Sequence, residues 1–357
     1  MAINLFDALK ELSSEKNIPM DVLVGAIKEA LASVYKKSFG CMDENVEVRL
    51  NEETGEIRVF SLSTVIDSDT LENPDAQITL EDAKEMDPDA QPGDIVEEDV
   101  TPSDFGRIAA QTVKQVVSQK LKDAERDQIY GEFKSKVGTI LNGKVQRIEH
   151  RNVYVEFDKA DAVIQPKDQI PGEMFRTNDR LRAYVLDVKP STKGPQIILS
   201  RSDKRFVEKL FEQTVPEISD GIVEIKSSSR EPGLRVKISV STNDSKIDPV
   251  GACVGLKGSR IKSVVDELNG EKIDIVRYSE DPVEYVTNAL SPAKVMSVKV
   301  DEANHTALAI VAKNQQSLAI GKEGQNVKLA TRLTGIKIDI KTEEELERIN
   351  AEKSAME

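Results

Sequence analysis

Apolar residues recur at helical spacing twice near the start of the chain. Leu5, Phe6, Leu9 and Leu12 form one stripe, with Asn4 placed to cap it. Leu23, Ala26, Ile27, Ala30, Leu31 and Val34 form a second, with Pro19 near its start and Gly40 after its end. The period then drops to two. Val46, Val48 and Leu50 alternate with charged residues, a turn-forming stretch follows at 51–55, and residues 57–60 complete a predicted hairpin. Residues 67–99 are strongly acidic and broken by Pro74, Pro88 and Pro92, which predicts a loop with a short helix at 80–85 and a strand near Ile95 and Val96. Thr101 and Pro102 then open a long helix, with Phe105, Ala109, Val113, Val116, Val117, Leu121 and Ala124 on one side. It is expected to run to about Tyr130 as a rigid connector.

Beyond residue 134 the pattern becomes short strands, predicted at 137–145, 153–157, 162–165, 181–188 and 196–200. Five short strands in so little chain, punctuated by Gly143, Pro171-Gly172 and Gly194-Pro195, fit a small closed barrel of the OB type. The stretch from Gly138 to Lys144 imitates a phosphate-binding loop, but Val145 stands where Ser or Thr is needed, and the segment alternates like a strand.

From residue 201 one order of elements occurs twice: helix, two strands, two helices around a Gly-x-x-Gly, strand. The glycine pairs are Gly255/Gly258 and Gly321/Gly324, displaced by 66 residues, and Lys262 maps onto Lys328 by the same shift. After a one-residue deletion the blocks Lys272-Ile273-Asp274-Ile275 and Lys337-Ile338-Asp339-Ile340 also coincide. This is the bacterial-type KH arrangement, in which the glycine loop clamps the backbone of about four unpaired nucleotides. The fold class is therefore α+β and multidomain. An α/β N-terminal domain with a long connector helix occupies 1–134, an OB barrel 135–200, two tandem type II KH domains 201–278 and 279–341, and an acidic tail 342–357.

The chemistry of the loop explains its residues. Missing β-carbons let a phosphate approach the main chain, and the helix that starts there presents free N–H groups and its positive dipole end. The candidate RNA contacts are Gly255, Leu256, Lys257, Gly258, Ser259, Arg260 and Lys262 in the first copy. In the second they are Gly321, Lys322, Glu323, Gly324, Gln325, Asn326 and Lys328. Lys257 and Arg260, and Lys322 and Lys328, are expected to supply mobile positive charge, while Ile261 and Val327 should pack inward. Glu323 lies inside the second loop and should repel phosphate, so the first loop is expected to grip more strongly.

Composition changes this picture in one respect. The net charge of −14 argues against a polyanion partner until it is divided: residues 1–134 carry −15, residues 135–341 carry +5, and residues 342–357 carry −4. An acidic head, either a solvated surface or a docking face for a basic protein partner, precedes a mildly basic body. There is no membrane-length apolar run and no export signal, and Cys41 and Cys253 are isolated, as are His150 and His305. A cytoplasmic, monomeric chain with two reduced thiols, no metal, no cofactor and no catalytic group is expected.

Several segments together resemble the NusA family of bacterial transcription elongation, termination and antitermination factors. They are 105–112, Thr192-Lys193-Gly194-Pro195, Ser229-Arg230-Glu231-Pro232-Gly233, 248–255 and 270–274. The resemblance covers nearly the whole chain, in the family order of N-terminal, S1-type OB, first KH and second KH domains. It implies docking on core RNA polymerase through the N-terminal domain, contact with nascent single-stranded RNA, and work beside other Nus factors in antitermination. Two departures accompany it. Where many S1-type domains carry two aromatics and a histidine, this chain has Arg151, Tyr154 and Gln165, so the resemblance implies Arg151 and Tyr154 as the RNA contacts of the barrel. The acidic C-terminal repeats of some members are not expected here. Polynucleotide phosphorylase also combines KH and S1-type domains, but in the reverse order and behind a catalytic core.

Overall fold

The computed structural model describes residues 5–39, 45–51, 53–67, 71, 73–157, 160–191 and 194–354. Asn4, Gly40, Cys41, Thr192 and Lys193 lie outside the described residues. The chain divides into two compact units, residues 1–128 and 129–357.

In the first unit, α1 (Leu5–Lys16) and α2 (Met20–Phe39) follow the two predicted stripes and bury Phe6, Leu9, Leu23, Ile27 and Leu31 of them. β1 (Val46–Leu50) and β2 (Ile57–Ile66) form the expected hairpin, with Val48 facing Val59 inside the core. β2 runs on past Phe60. Its far half pairs in parallel with β3 (Gln77–Thr79), and its middle pairs antiparallel with β4 (Ile95–Asp99). Between them α3 (Leu80–Met86) is capped by Thr79, whose hydroxyl accepts the Asp82 N–H. β3 was not anticipated, because three residues are too few to show a period.

The long helix α4 (Phe105–Lys134) departs from expectation at both ends. Thr101 does not open it: its hydroxyl accepts the Val59 N–H at 2.8 Å and so completes the sheet edge. Nor does the helix stop near Tyr130. Phe133 is buried in the barrel core, with Ile129 and Tyr130 packed against it, so the apolar stripe continues for another turn.

The second unit starts with the barrel. β5 (Ile140–Glu149), β6 (Asn152–Phe157), β7 (Ala160–Ile164), β8 (Arg180–Lys189) and β9 (Gln196–Ser200) close in the order β5-β6-β7-β9-β8. The segment that imitates a phosphate loop lies at the start of β5. A β-carbon on Gly143 would stand 2.3 Å from Val155 Cγ1, so this glycine serves barrel packing.

The first KH module comprises α5 (Lys204–Thr214), a short α6 (Pro216–Ser219), β10 (Val223–Glu231), β11 (Arg235–Thr242), α7 (Pro249–Val254), α8 (Ser259–Glu267) and β12 (Lys272–Arg277). The second comprises α9 (Pro282–Ala289), β13 (Val295–Asp301), β14 (Thr306–Val311), α10 (Lys313–Ile320), α11 (Gln325–Thr334) and β15 (Lys337–Thr342). The acidic tail continues as α12 (Glu343–Ser354). Both sheets join an antiparallel pair to a parallel one, with Arg235 beside Lys272 in one and Thr306 beside Lys337 in the other.

β11 is buried on both faces. Val236, Ile238 and Val240 enter the core of their own module. Lys237 and Ser239, on the opposite face, are 0% exposed because α11 of the second module lies against β10 and β11. Lys237 Nζ donates to Asp274 at 2.9 Å and to the Ser291 carbonyl at 2.6 Å. The Tyr285 hydroxyl bridges Ser239 Oγ at 2.9 Å and the Leu333 carbonyl at 3.1 Å. Burial pulls the Lys237 ammonium below the ordinary lysine range, against the pull of the Asp274 carboxylate.

Two further buried arginines brace the unit. Arg201 is 3% exposed and reaches Glu173 of the barrel at 2.6 Å and Glu267 of α8 at 2.9 Å. Arg230 pairs in a fork with Glu271 at 2.7 and 2.9 Å, and the same carboxylate accepts the Gly233 N–H. Arg230→Ala would leave Glu271 buried and uncompensated. The cost should be about 3–5 kcal/mol in denaturant unfolding of the second unit. The double change Arg230→Met with Glu271→Leu should recover most of that loss.

Candidate nucleic-acid interface

Both glycine loops have one backbone shape. Gly255 (φ 74°, ψ 174°) matches Gly321 (φ 77°, ψ 170°), Lys257 (φ 52°, ψ 29°) matches Glu323 (φ 56°, ψ 22°), and Gly258 (φ 75°, ψ 17°) matches Gly324 (φ 76°, ψ 14°). A short 3-10 turn separates the two helices in each copy. The first glycine is required by contact as well as by dihedral angle. A β-carbon on Gly255 would lie 2.7 Å from Arg260 Cγ, and one on Gly321 would lie 2.8 Å from the backbone nitrogen of Asn326. That closeness lets the following helix aim its free N–H groups across the loop.

The matching angles identify the pivot. In each loop the middle position is left-handed, and it carries Lys257 in one copy and Glu323 in the other. Leu256 and Lys257 are exposed, Leu256 at 85%, as are Ser259 and Lys262. Lys322, Glu323 and Lys328 are exposed too, and Gln325 is half-buried at the start of α11. Lys328 Nζ donates to the Glu323 carbonyl at 3.0 Å, which holds its charge against the loop. Ile261 and Val327 pack on their respective cores as expected.

Two candidates do not serve as free contacts. Arg260 turns back from the loop, donating to Glu217 at 2.9 Å and to the Ala252 carbonyl at 2.6 Å. Asn326, the equivalent residue, is 1% exposed and donates to the carbonyls of Leu290, Leu318 and Ala319. Different side chains at one position thus do one job: each ties the helix after the loop to the last turn of the helix before it. Helix carbonyls left open by the sharp turn find their donors in these two side chains.

On the barrel, Arg151 is exposed in the turn between β5 and β6 with a left-handed φ of 66°. Its carbonyl accepts the Gln169 side-chain amide at 2.6 Å. Tyr154 does not pair with it. The Arg147 guanidinium lies 4.0 Å from the Tyr154 ring centroid and is held by Glu149 at 3.0 Å. Alternation counted from Val145 points Arg147 inward. A bulge between Val145 and Arg147 reverses it and sets Arg147 opposite Tyr154. The barrel therefore offers a stacked Arg147–Tyr154 platform, a usable surface for a base.

A single-strand-binding barrel followed by two KH modules defines a nucleic-acid-binding chain. Family models match along its length: the NusA N-terminal domain at 4–127, the S1 RNA binding domain at 134–202, the NusA-like first KH domain at 201–278 and the NusA-like second KH domain at 282–348. The chain is 50% identical to the transcription termination/antitermination protein NusA of Halalkalibacterium halodurans, over 98% of this chain and 91% of that protein. It is 49% identical to that of Bacillus subtilis, over 96% of this chain and 92% of that protein. With that of Thermus thermophilus it shares 40% identity, over 93% and 88%. The chain belongs to the NusA family.

The pivot position yields a direct test. One unit charge near a phosphate at about 4 Å is worth about 1 kcal/mol in water, roughly five-fold in affinity. Lys257→Glu should weaken single-stranded RNA binding by several-fold, more than Lys322→Glu does, and Glu323→Lys should strengthen it. Fluorescence anisotropy titrations measure all three. Equal losses for the two lysine variants would contradict the ranking.

Proposed function

We propose that the chain is an RNA-binding transcription factor that docks on RNA polymerase through residues 1–134 and grips nascent single-stranded RNA with its KH loops and barrel. On this reading it is a binding factor, not an enzyme, and it acts in the cytoplasm. It prolongs pauses, favours intrinsic termination, and joins other Nus factors in antitermination. The observation that carries the proposal is the pair of loops with matched dihedral angles, both in one compact unit with the barrel.

The docking role rests on the first unit. Glu81, Asp82, Glu85, Asp87, Asp89, Asp94 and Glu98 are all exposed, a field that steers toward a basic protein surface. Only part of the acid is neutralised internally, as where Arg49 pairs with Glu47 and Glu97. An apolar groove of about 600 Å³, lined in part by Leu9, Leu12, Ile57, Ala110 and Val113, gives the same unit a surface for desolvated contact. Tethering by this unit raises the local RNA concentration, so a modest intrinsic RNA affinity suffices. No helix among the described residues is long and apolar enough to cross a membrane.

A transcription assay with purified polymerase tests the proposal. The intact protein should lengthen the lifetime of hairpin-stabilised pauses. Removal of residues 1–128, the first compact unit, should abolish that effect while leaving RNA binding in place. Unchanged pause lifetimes with intact protein would refute the function, and full activity of the truncated protein would refute the docking role.

A further inference from the structure

The barrel has a second polar surface, further along β5 and β6 from the Arg147–Tyr154 platform. β5 and β8 pair so that Lys144 stands directly opposite Arg180, and Asn142 opposite Arg182. Like charges facing each other across an antiparallel pair are destabilising. Lys144 and Arg180 are both exposed and, among the described residues, neither has an ion-pair partner. Together with Glu156 and Phe157 they line a groove of about 800 Å³. Most of the acid around the groove is already committed. Glu267 is held by Arg182 and Arg201, each at 2.9 Å, and Glu132 by Lys136 at 2.8 Å. Glu156, across the strand from Lys144, is the remaining carboxylate of the lining.

We propose that this groove takes the sugar-phosphate backbone of the same single-stranded RNA that the first glycine loop clamps, with Lys144 and Arg180 as its phosphate contacts. The inference rests on the RNA-binding reading above. What favours RNA over an acidic peptide is continuity with the clamp. Glu267, which lines the groove, is the last residue of α8, and α8 begins at Ser259 beside the clamp. Nine residues of helix separate the two ends, a span of about 14 Å. The groove and the clamp are held at that spacing by Arg201, which is fixed to both barrel and helix. Phe157 and Leu141 supply apolar surface for a ribose beside the two cations.

The test uses the full chain and two RNA probes, one of about four nucleotides, enough for a single loop, and one of about a dozen. Lys144→Gln with Arg180→Gln should leave the short probe's affinity unchanged and weaken the long probe several-fold. Loss of two phosphate contacts should also make the salt dependence of the long probe shallower by about 1.4 in log–log slope. Circular dichroism of the variant checks that its barrel is folded. Wild-type affinity and slope for the long probe would overturn the proposal. So would intact RNA binding combined with lost binding of a polyglutamate peptide, which would assign the groove to an acidic protein. Failure of Lys257→Glu to weaken either probe would instead overturn the underlying RNA-clamp reading, so the two failures are separable.

Discussion

The architecture of the second unit turns on β11. A strand with one apolar and one polar face would normally leave the polar face in water. Here the second KH module covers it, and the lysine on it is fully buried. An unpaired buried ammonium would be expelled or neutralised, so the Lys237–Asp274 pair and the Ser291 carbonyl are conditions of the interface. Such an interface is specific in a way an apolar one is not, because a shifted register would strand the charge. Since Ser291 and Tyr285 belong to the second module, the bonds to Lys237 and Ser239 fix one module on the other.

The same logic extends along the unit. Arg201 locks the barrel to α8, and α11 lies on the first module's sheet. Each clamping helix is therefore braced by the neighbouring domain. A phosphate clamp works by preorganised N–H groups, and their value depends on the helix not moving when the anion arrives. Arg260 and Asn326 complete this preorganisation locally, by tying each clamping helix back to its predecessor. They resemble contact residues in sequence and act as supports in space.

Much of the fold was legible because its signals are periodic. The hairpin, the five barrel strands and both KH element orders follow from apolar spacing and glycine punctuation. What stayed hidden has particular causes. Apolar spacing at 222–225 predicts only the start of β10, because Lys226, Ser227, Ser228 and Ser229 look like a solvated loop. The structure pairs Ser227 through Glu231 with β11 and buries Ser228, Ser229 and Arg230. The Arg147–Tyr154 platform was hidden by a single bulge, which no alternation rule detects. Arg260 looks available in sequence as a cation beside a glycine loop, and only the Glu217 side chain and the Ala252 carbonyl show that it is engaged within the fold.

The duplicated loops show how far equal geometry permits unequal function. Dihedral angles at the pivot agree to within a few degrees, so the backbone donors and helix dipoles of the two copies are alike. The difference is confined to side chains: lysine against glutamate at the pivot, leucine against lysine before it. Leu256 therefore brings an apolar surface to the first loop, suited to a ribose or base edge, where the second loop brings a charge. The first loop combines attraction at its pivot with an apolar contact. The second opposes its own lysine with a carboxylate, and Lys328 is partly engaged by the loop carbonyl. A duplicated frame that keeps the donors and varies the charge thus carries more positive potential at the pivot of the first loop than at that of the second.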